Sequence, residues 1–143
     1  MRTILCWEAD VVPDEESLVQ TLEAAGHEVH FARELEVLPR LLPDDPDEPA
    51  VLLGYVDYSA SMEDYNRRMR ALYAAYLPLH EGRLVGVTVV ATPGPIFVSL
   101  PRFCFAVLTL PINMEKLNDF IARFEKTLKA EEGRDAIRRQ GAL

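Results

Sequence analysis

Short apolar runs alternate with amphipathic segments along the whole chain, and this alternation limits the folds that it can adopt. Runs at 3–7 and 50–56 have the length and composition of buried strands, and the apolar runs at 84–91 and 103–109 predict two further strands. The segment 27–32 alternates apolar and polar residues, which predicts a half-exposed edge strand. Strands that alternate with helices imply a parallel sheet with helices on both faces. The sequence therefore predicts an α/β domain.

Capping signals mark the helices between these strands. Acidic residues follow Pro13, where they suit the positive end of a first helix, and Gly26 is placed to end it. Ser61 begins a segment that resembles a capping box, with aspartate in place of glutamate, ahead of a long amphipathic helix. Asn113 is predicted to cap a closing helix that has a continuous apolar face.

Two connections are expected to be shorter than a full helix. The segment 33–42 predicts a short helix that is interrupted or ends near Pro39. The prolines between 92 and 101 leave room for only one or two turns, so the fourth crossover is predicted to be much reduced. One domain is expected over 1–130, followed at 131–143 by a polar tail or an extension of the last helix.

The composition limits the partners and the compartment. A formal net charge of -8 disfavours binding to a phosphate backbone, so no nucleic-acid partner is expected. The uncharged stretch 84–101 is broken by a Pro-Gly-Pro sequence and indicates buried sheet, so no membrane span is expected. Arg2 is followed by too few apolar residues for a signal peptide, and Cys6 and Cys104 lie in apolar runs, as buried thiols do. These features predict a cytoplasmic protein.

Three segments together resemble a response-regulator receiver domain, over about 3–128. The first is the opening apolar strand with its following acids, a helix, and a Gly-x-x-Val turn at 26–29. The second, at 49–55, resembles the strand that carries the phosphoacceptor aspartate of receivers. The third, at 108–117, is close to the Lys-Pro-Phe segment and final helix of the family. The resemblance implies a flavodoxin-like, doubly wound sheet of five parallel strands in the order 2-1-3-4-5.

The resemblance also implies a phosphorylation pocket, and in this pocket the sequence departs from the family. Receivers need a carboxylate cage for magnesium, an aspartate nucleophile, a hydroxyl that senses the phosphoryl group and a lysine that neutralises it. Glu8 matches the first acid, but Ala9 stands where its acidic neighbour is expected. Tyr55 aligns with the phosphoacceptor, and Leu110 replaces the lysine. Thr92 or Ala91 falls near the hydroxyl position. A phosphoryl group would lack its main cationic partner here.

A second alignment stays open. If the alignment of this strand with that of receivers is shifted by two residues, Asp57 takes the phosphoacceptor position, near Glu8, Asp10 and Thr92. The alternation of side chains does not exclude this shift, because a shift of two keeps every side chain on its face. These carboxylates are compatible with a Mg²⁺ ion, and equally with ordinary polar residues that cap helices at the ends of strands. No other cofactor is expected, since no glycine-rich phosphate loop follows the first strand.

Other polar residues are expected to be structural. The three histidines lie in or near turns without the spacing of metal ligands, which predicts solvated surface groups. The arginines of the long helix, Arg67, Arg68 and Arg70, are predicted to form a solvated face. The tyrosines recur at helical spacing with methionine and leucine, which favours packing over a stacking surface.

The sequence therefore predicts a non-catalytic signalling or scaffolding module, a pseudo-receiver that acts through protein contacts. In receivers the last helices and strand form the output and dimerisation face. A reduced crossover at 93–95 would expose Ile96, Phe97 and Phe103 beside the final strand, and an apolar patch of that kind marks an interface. A homodimer or a docked protein partner is expected there. The alternative is an atypical phosphoacceptor or small-ligand domain built on Asp57 with the acids after the first strand.

Overall fold

The described residues of this computed structural model are 1–57, 61–80, 85–92, 106–124 and 126. The crossover that is predicted to be reduced and the predicted polar C-terminal tail lie outside these ranges.

In the described part of the chain, five parallel strands form one sheet. Their order is β2-β1-β3-β4-β5, which confirms the predicted doubly wound arrangement. The strands are β1 (Arg2–Leu5), β2 (Glu28–Phe31), β3 (Ala50–Val56), β4 (Val85–Ala91) and β5 (Ala106–Thr109). Every residue of β3 and β4 is buried, whereas β2 lies at the edge with both of its ends exposed. The runs at 3–7 and 50–56 gave central strands and the alternating run gave an edge strand, as predicted. Strand β4 is also central, whereas β5 lies at the opposite edge.

Helices cover both faces of this sheet. They are α1 (Glu15–Ala24), α2 (Leu38–Leu41), α3 (Met62–His80) and α4 (114–124), with a 3₁₀ turn at Leu35–Val37. The predicted caps are confirmed: the amide of Asp64 donates to Oγ of Ser61 at 3.2 Å, and the amide of Glu115 donates to Oδ1 of Asn113 at 2.9 Å. Gly26 ends α1 with a φ of 91°, in the left-handed region that suits glycine.

Two boundaries differ from the sequence prediction. Strand β1 ends at Leu5, so Trp7 belongs to the following loop, although the amide of Cys6 still donates to the Leu53 carbonyl at 2.8 Å. Pro39 lies in the first turn of α2 and does not end a helix. A proline is tolerated there because the first amides of a helix have no intrahelical acceptor.

The core consists of two layers, one on each face of the sheet. Leu52 of β3 and Val87 of β4 pack against α3 through Leu72. On the other face, Leu53 packs against α1 and α4, with Phe120 among its buried neighbours. The sheet is thus covered on both sides, which leaves its carboxyl edge as the place where loops from neighbouring strands meet.

One histidine contradicts the expectation of solvated histidines. His27 is buried, and its Nδ1 lies 3.1 Å from Oγ1 of Thr3, with which it forms a hydrogen bond. The turn after α1 returns the chain directly beside β1, which covers the imidazole. Burial lowers the pKa of His27, and the positive chain terminus lowers it further.

Within the described ranges, none of the helices combines the length and hydropathy that a membrane span requires.

Candidate functional site

The candidate site lies at the carboxyl edge of β1, β3 and β4, which are neighbours in the sheet. The chain leaves these strands after Leu5, Val56 and Ala91, so the residues that follow them are brought together. Ligands of open α/β sheets bind in crevices at this edge, next to the point where the strand order reverses.

Asp57 and Thr92 form the most direct contact among the predicted site residues. Oγ1 of Thr92 donates to Oδ1 of Asp57 at 3.2 Å, and the amide of Thr92 donates to the Val56 carbonyl at 3.2 Å. Both side chains are half-buried. The parallel pairing of β3 with β4 sets this contact, because Val56 is in register with Ala91.

Tyr55 occupies a buried position on β3, with 4% of its surface exposed. Its ring meets the Trp7 ring edge-to-face, with centroids 6.3 Å apart and planes at 65°. Burial raises the pKa of Tyr55 and the nearby Asp57 charge raises it further, while Arg68 acts in the opposite direction. The phenol therefore stays protonated at neutral pH.

Leu110 follows β5, where the resemblance to receivers places a lysine. Its amide continues the ladder by donating to the Ala91 carbonyl at 2.9 Å. Its side chain is half-buried and packs against the same core layer as Tyr55 and Leu53. Leu110 thus contributes apolar packing at this position and brings no charge to the site.

Glu8 and Asp10 lie in the exposed loop after β1. Asp10 has a φ of 62°, which is uncommon for a residue other than glycine. Within the described ranges, no three His, Cys, Asp or Glu side chains come together in a way that could hold a metal ion. The acids after β1 are therefore not gathered with Asp57 into a cation cage.

A network that the sequence analysis did not identify holds this loop in place. Nε1 of Trp7 donates to Oε1 of Glu15 at 2.6 Å. The Arg33 guanidinium donates to both oxygens of Glu15, at 2.6 and 3.0 Å. The hydrogen bond from Arg33 is the main cause that lowers the pKa of Glu15, against the opposing effect of burial, and the pKa of Arg33 is raised in turn by this bond. Glu15 thereby ties the start of α1 to the ends of β1 and β2.

A cleft opens beside Tyr55, between the ends of β1 and β3 and the first half of α3. We call it the Tyr55 cleft; its volume is about 590 Å³, and Trp7, Tyr55, Arg68, Met69 and Leu72 are among its lining residues. The expectation of a solvated arginine face is wrong for Arg68, which is half-buried and lies in this cleft, while Arg67 and Arg70 are exposed.

Cys6 also lines the Tyr55 cleft. Burial raises the pKa of this thiol to about 12, so that it stays protonated and is a poor nucleophile. Its Sγ lies 3.6 Å from the carbonyl oxygen of Ile4, to which it donates a weak hydrogen bond.

Some predictions fall outside the described residues. The proposed interface residues Ile96, Phe97 and Phe103 lie there, and so does Cys104. The prediction that the tyrosines serve packing agrees with Tyr55 and Tyr76, which are buried, but less well with Tyr73 on α3, which is 43% exposed.

Comparisons with known proteins support the fold. No protein family and no curated protein matches the chain by sequence. The solved structure of the response regulator StyR is similar, with a TM-score of 0.53 and 16% sequence identity, over 96% of this chain and 68% of that one. This chain therefore has the fold of a response-regulator receiver, with its five-stranded parallel sheet and flanking helices.

Proposed function

We propose that this chain is a receiver-like signalling module that acts through protein contacts, without catalysis and without aspartate phosphorylation. The observation that carries this proposal is the burial of Tyr55, a neutral phenol, at the position where the resemblance to receivers places the phosphoacceptor. A phenol in this position offers no carboxylate to attack a phosphoryl donor.

The surroundings of Tyr55 support the same proposal. Leu110 fills the lysine position with an apolar side chain that packs in the core. A transferred phosphoryl group carries close to two negative charges and needs cationic partners or a metal to neutralise them. Glu8 and Asp10 are exposed acids, so they would add repulsion at this edge of the sheet.

The output is proposed to be a contact with a second copy or with another protein. The predicted interface at Ile96, Phe97 and Phe103 is part of this proposal, and so is a cytoplasmic location. Light scattering is expected to show a dimer, or a partner captured by the full chain, and Phe97→Asp is expected to abolish it. A strict monomer whose partner binding is unaffected by Phe97→Asp would contradict this part.

A phosphorylation assay tests the central claim. The full chain is incubated with acetyl phosphate and Mg²⁺ and analysed by intact mass, beside a receiver domain that is known to accept phosphate as a positive control. We expect an adduct on the control receiver and none on this chain.

The second candidate function, a phosphoacceptor at Asp57, is favoured by one observation. The Thr92 hydroxyl donates to Asp57 at 3.2 Å, which pairs an acid with a hydroxyl at the carboxyl edge. If the wild-type chain gains a phosphoryl group that Asp57→Asn loses and Asp10→Asn retains, this second function is correct and the first is wrong.

A further inference from the structure

We propose that the Tyr55 cleft binds a small organic monocarboxylate with an apolar body, whose carboxylate accepts hydrogen bonds from Tyr55 and Arg68. The inference rests on the proposed function in one respect, since it assigns Tyr55 the role of a hydrogen-bond donor in place of a phosphoacceptor.

The first argument is the hydroxyl of Tyr55. Tyr55 as a whole is 4% exposed. Its hydroxyl is not among the fully buried side-chain atoms that lack a partner, which within the described ranges are Nε of Arg2 and Oγ1 of Thr88, so it has access to solvent. A hydroxyl in such a position can exchange water for an acceptor on a bound molecule. Because Tyr55 lines the cleft, a molecule bound there can supply this acceptor.

The second argument is the charge of Arg68. Its guanidinium carbon lies 6.0 Å from the centroid of the Tyr55 ring, and both side chains line the same cleft. Within the described ranges no carboxylate pairs with Arg68, whereas Arg33, the other arginine of the cleft, is committed to Glu15. Arg68 is therefore the cation that remains available for a carboxylate, which guanidinium groups bind with matched geometry.

The other residues that line the cleft limit the negative charge of the ligand and favour an apolar group next to its carboxylate. Glu8, Glu34 and Glu36 border the cleft and are exposed, so they repel every anion there, and a dianion or a phosphate ester about twice as strongly as a single carboxylate. Met69 and Leu72 on α3 present apolar surface to the same space. A single carboxylate attached to an apolar group satisfies both conditions.

The size of the cleft agrees with this class of ligand. A volume of about 590 Å³ lies within the range of small-molecule sites, which is roughly 300–1,000 Å³. One charge-assisted contact and burial of an apolar body correspond to a Kd of roughly 10 μM to 1 mM.

The test uses the intrinsic fluorescence of Trp7, the only tryptophan in the chain, which lies in the cleft itself. The full chain is titrated with 3-phenylpropionate, benzoate and hexanoate, and binding is repeated by calorimetry. Each acid has a matched control in its amide, which keeps the body and removes the charge. We expect saturable binding of at least one acid and binding of its amide that is weaker by roughly tenfold or more.

Protein variants separate the two donors. Arg68→Gln is expected to weaken binding of the acid roughly tenfold or more, and Tyr55→Phe by roughly threefold to tenfold. Arg70→Gln is the matched control, since Arg70 lies two residues away on α3, is exposed and is outside the cleft lining. Variants are compared only after circular dichroism shows that they keep the wild-type spectrum, and the amide comparison on the wild-type chain needs no variant.

Three results would overturn the inference: no saturable binding of any of the acids at low-millimolar concentration, equal binding of an acid and its amide, or an equal loss in Arg68→Gln and Arg70→Gln. These outcomes are distinct from failure of the proposed function. A chain that stays unphosphorylated and binds no acid contradicts only this inference. A chain that is phosphorylated on Asp57 and binds the acid contradicts only the proposed function.

Discussion

Replacement of Glu15 by alanine removes the acceptor that joins Trp7 to Arg33, and its cost can be worked from the contacts. Trp7 is 6% exposed, so the loss of its partner leaves a buried indole N–H, which costs about 1–3 kcal/mol. The ion pair with Arg33 is partly exposed and adds about 0.5–1 kcal/mol. We expect Glu15→Ala to lower the free energy of unfolding by about 1.5–4 kcal/mol in total.

Glu16→Ala is the matched control for this variant. Both glutamates lie in the first turn of α1, so both substitutions remove the same favourable interaction with the helix dipole. Glu16 is exposed, and within the described ranges its side chain forms no hydrogen bond or ion pair. The difference between the two variants therefore isolates the network of Glu15.

Urea unfolding followed by far-UV circular dichroism measures this difference. For a chain of 143 residues, a loss of about 1.5–4 kcal/mol corresponds to a fall in Tm of about 5–12 °C. If Glu15→Ala is no less stable than Glu16→Ala, the hydrogen bonds of Glu15 contribute nothing net and the reasoning is refuted.

Unfolding measurements at acidic pH provide a second test of the Glu15 carboxylate. The pKa of Glu15 is lowered chiefly by the hydrogen bond from Arg33, with burial opposing it and Trp7 adding to it. Because the folded pKa lies below the unfolded value of about 4.3, the stability that this carboxylate contributes is complete above that pH. It is lost as the pH falls through the lower folded pKa. The stability advantage of the wild-type chain over Glu15→Gln should therefore shrink progressively below about pH 4.3.

Two further substitutions test packing and protonation in the core. At Gly54 an added Cβ would lie 2.7 Å from Cδ2 of the buried Leu72. Alanine usually stabilises a strand relative to glycine, but here the overlap should make Gly54→Ala less stable than the wild-type chain by about 1–2 kcal/mol in urea unfolding. For His27 the folded pKa lies below the unfolded value of about 6.5, so its contribution is complete above that pH and lost as the pH falls below it. The Tm of the wild-type chain should thus fall more between pH 7 and pH 5 than the Tm of His27→Gln, and parallel curves would contradict the role of the buried imidazole.

The sheet was predictable because the burial of its strands determines which of their residues are apolar, and this pattern is visible in the sequence. All residues of β3 and β4 are buried, so both faces of each strand had to be apolar and their runs are uninterrupted. The contact between Asp57 and Thr92 was also foreseeable, since each side chain follows one of two neighbouring parallel strands. Sequence order and strand ends were sufficient for these features.

The network around Glu15 was not predictable, because its members follow no periodic pattern. Trp7 and Glu15 are eight residues apart, and Arg33 is eighteen residues beyond Glu15, so only the tertiary fold brings them together. Arg68 was misjudged for a related reason. Helical spacing places Arg68 on a polar stretch of α3. The cleft beside Arg68 exists because β3 ends there, and the spacing of residues along α3 contains no information about where a neighbouring strand ends.

The described charges at the carboxyl edge place Arg68 beside Tyr55 and not beside Asp57. A phosphoacceptor needs a cation beside its carboxylate, but within the described ranges Arg68 forms no ion pair with Asp57. Arg68 instead lies over the Tyr55 ring, in the cleft on the side of β1, while Asp57 contacts Thr92 on the side of β4. The cation is therefore poorly placed to replace the missing lysine at Leu110 and well placed to act together with the phenol. Burial dominates the pKa of Tyr55, because the opposing charges of Asp57 and Arg68 act against each other, and the hydroxyl remains a donor.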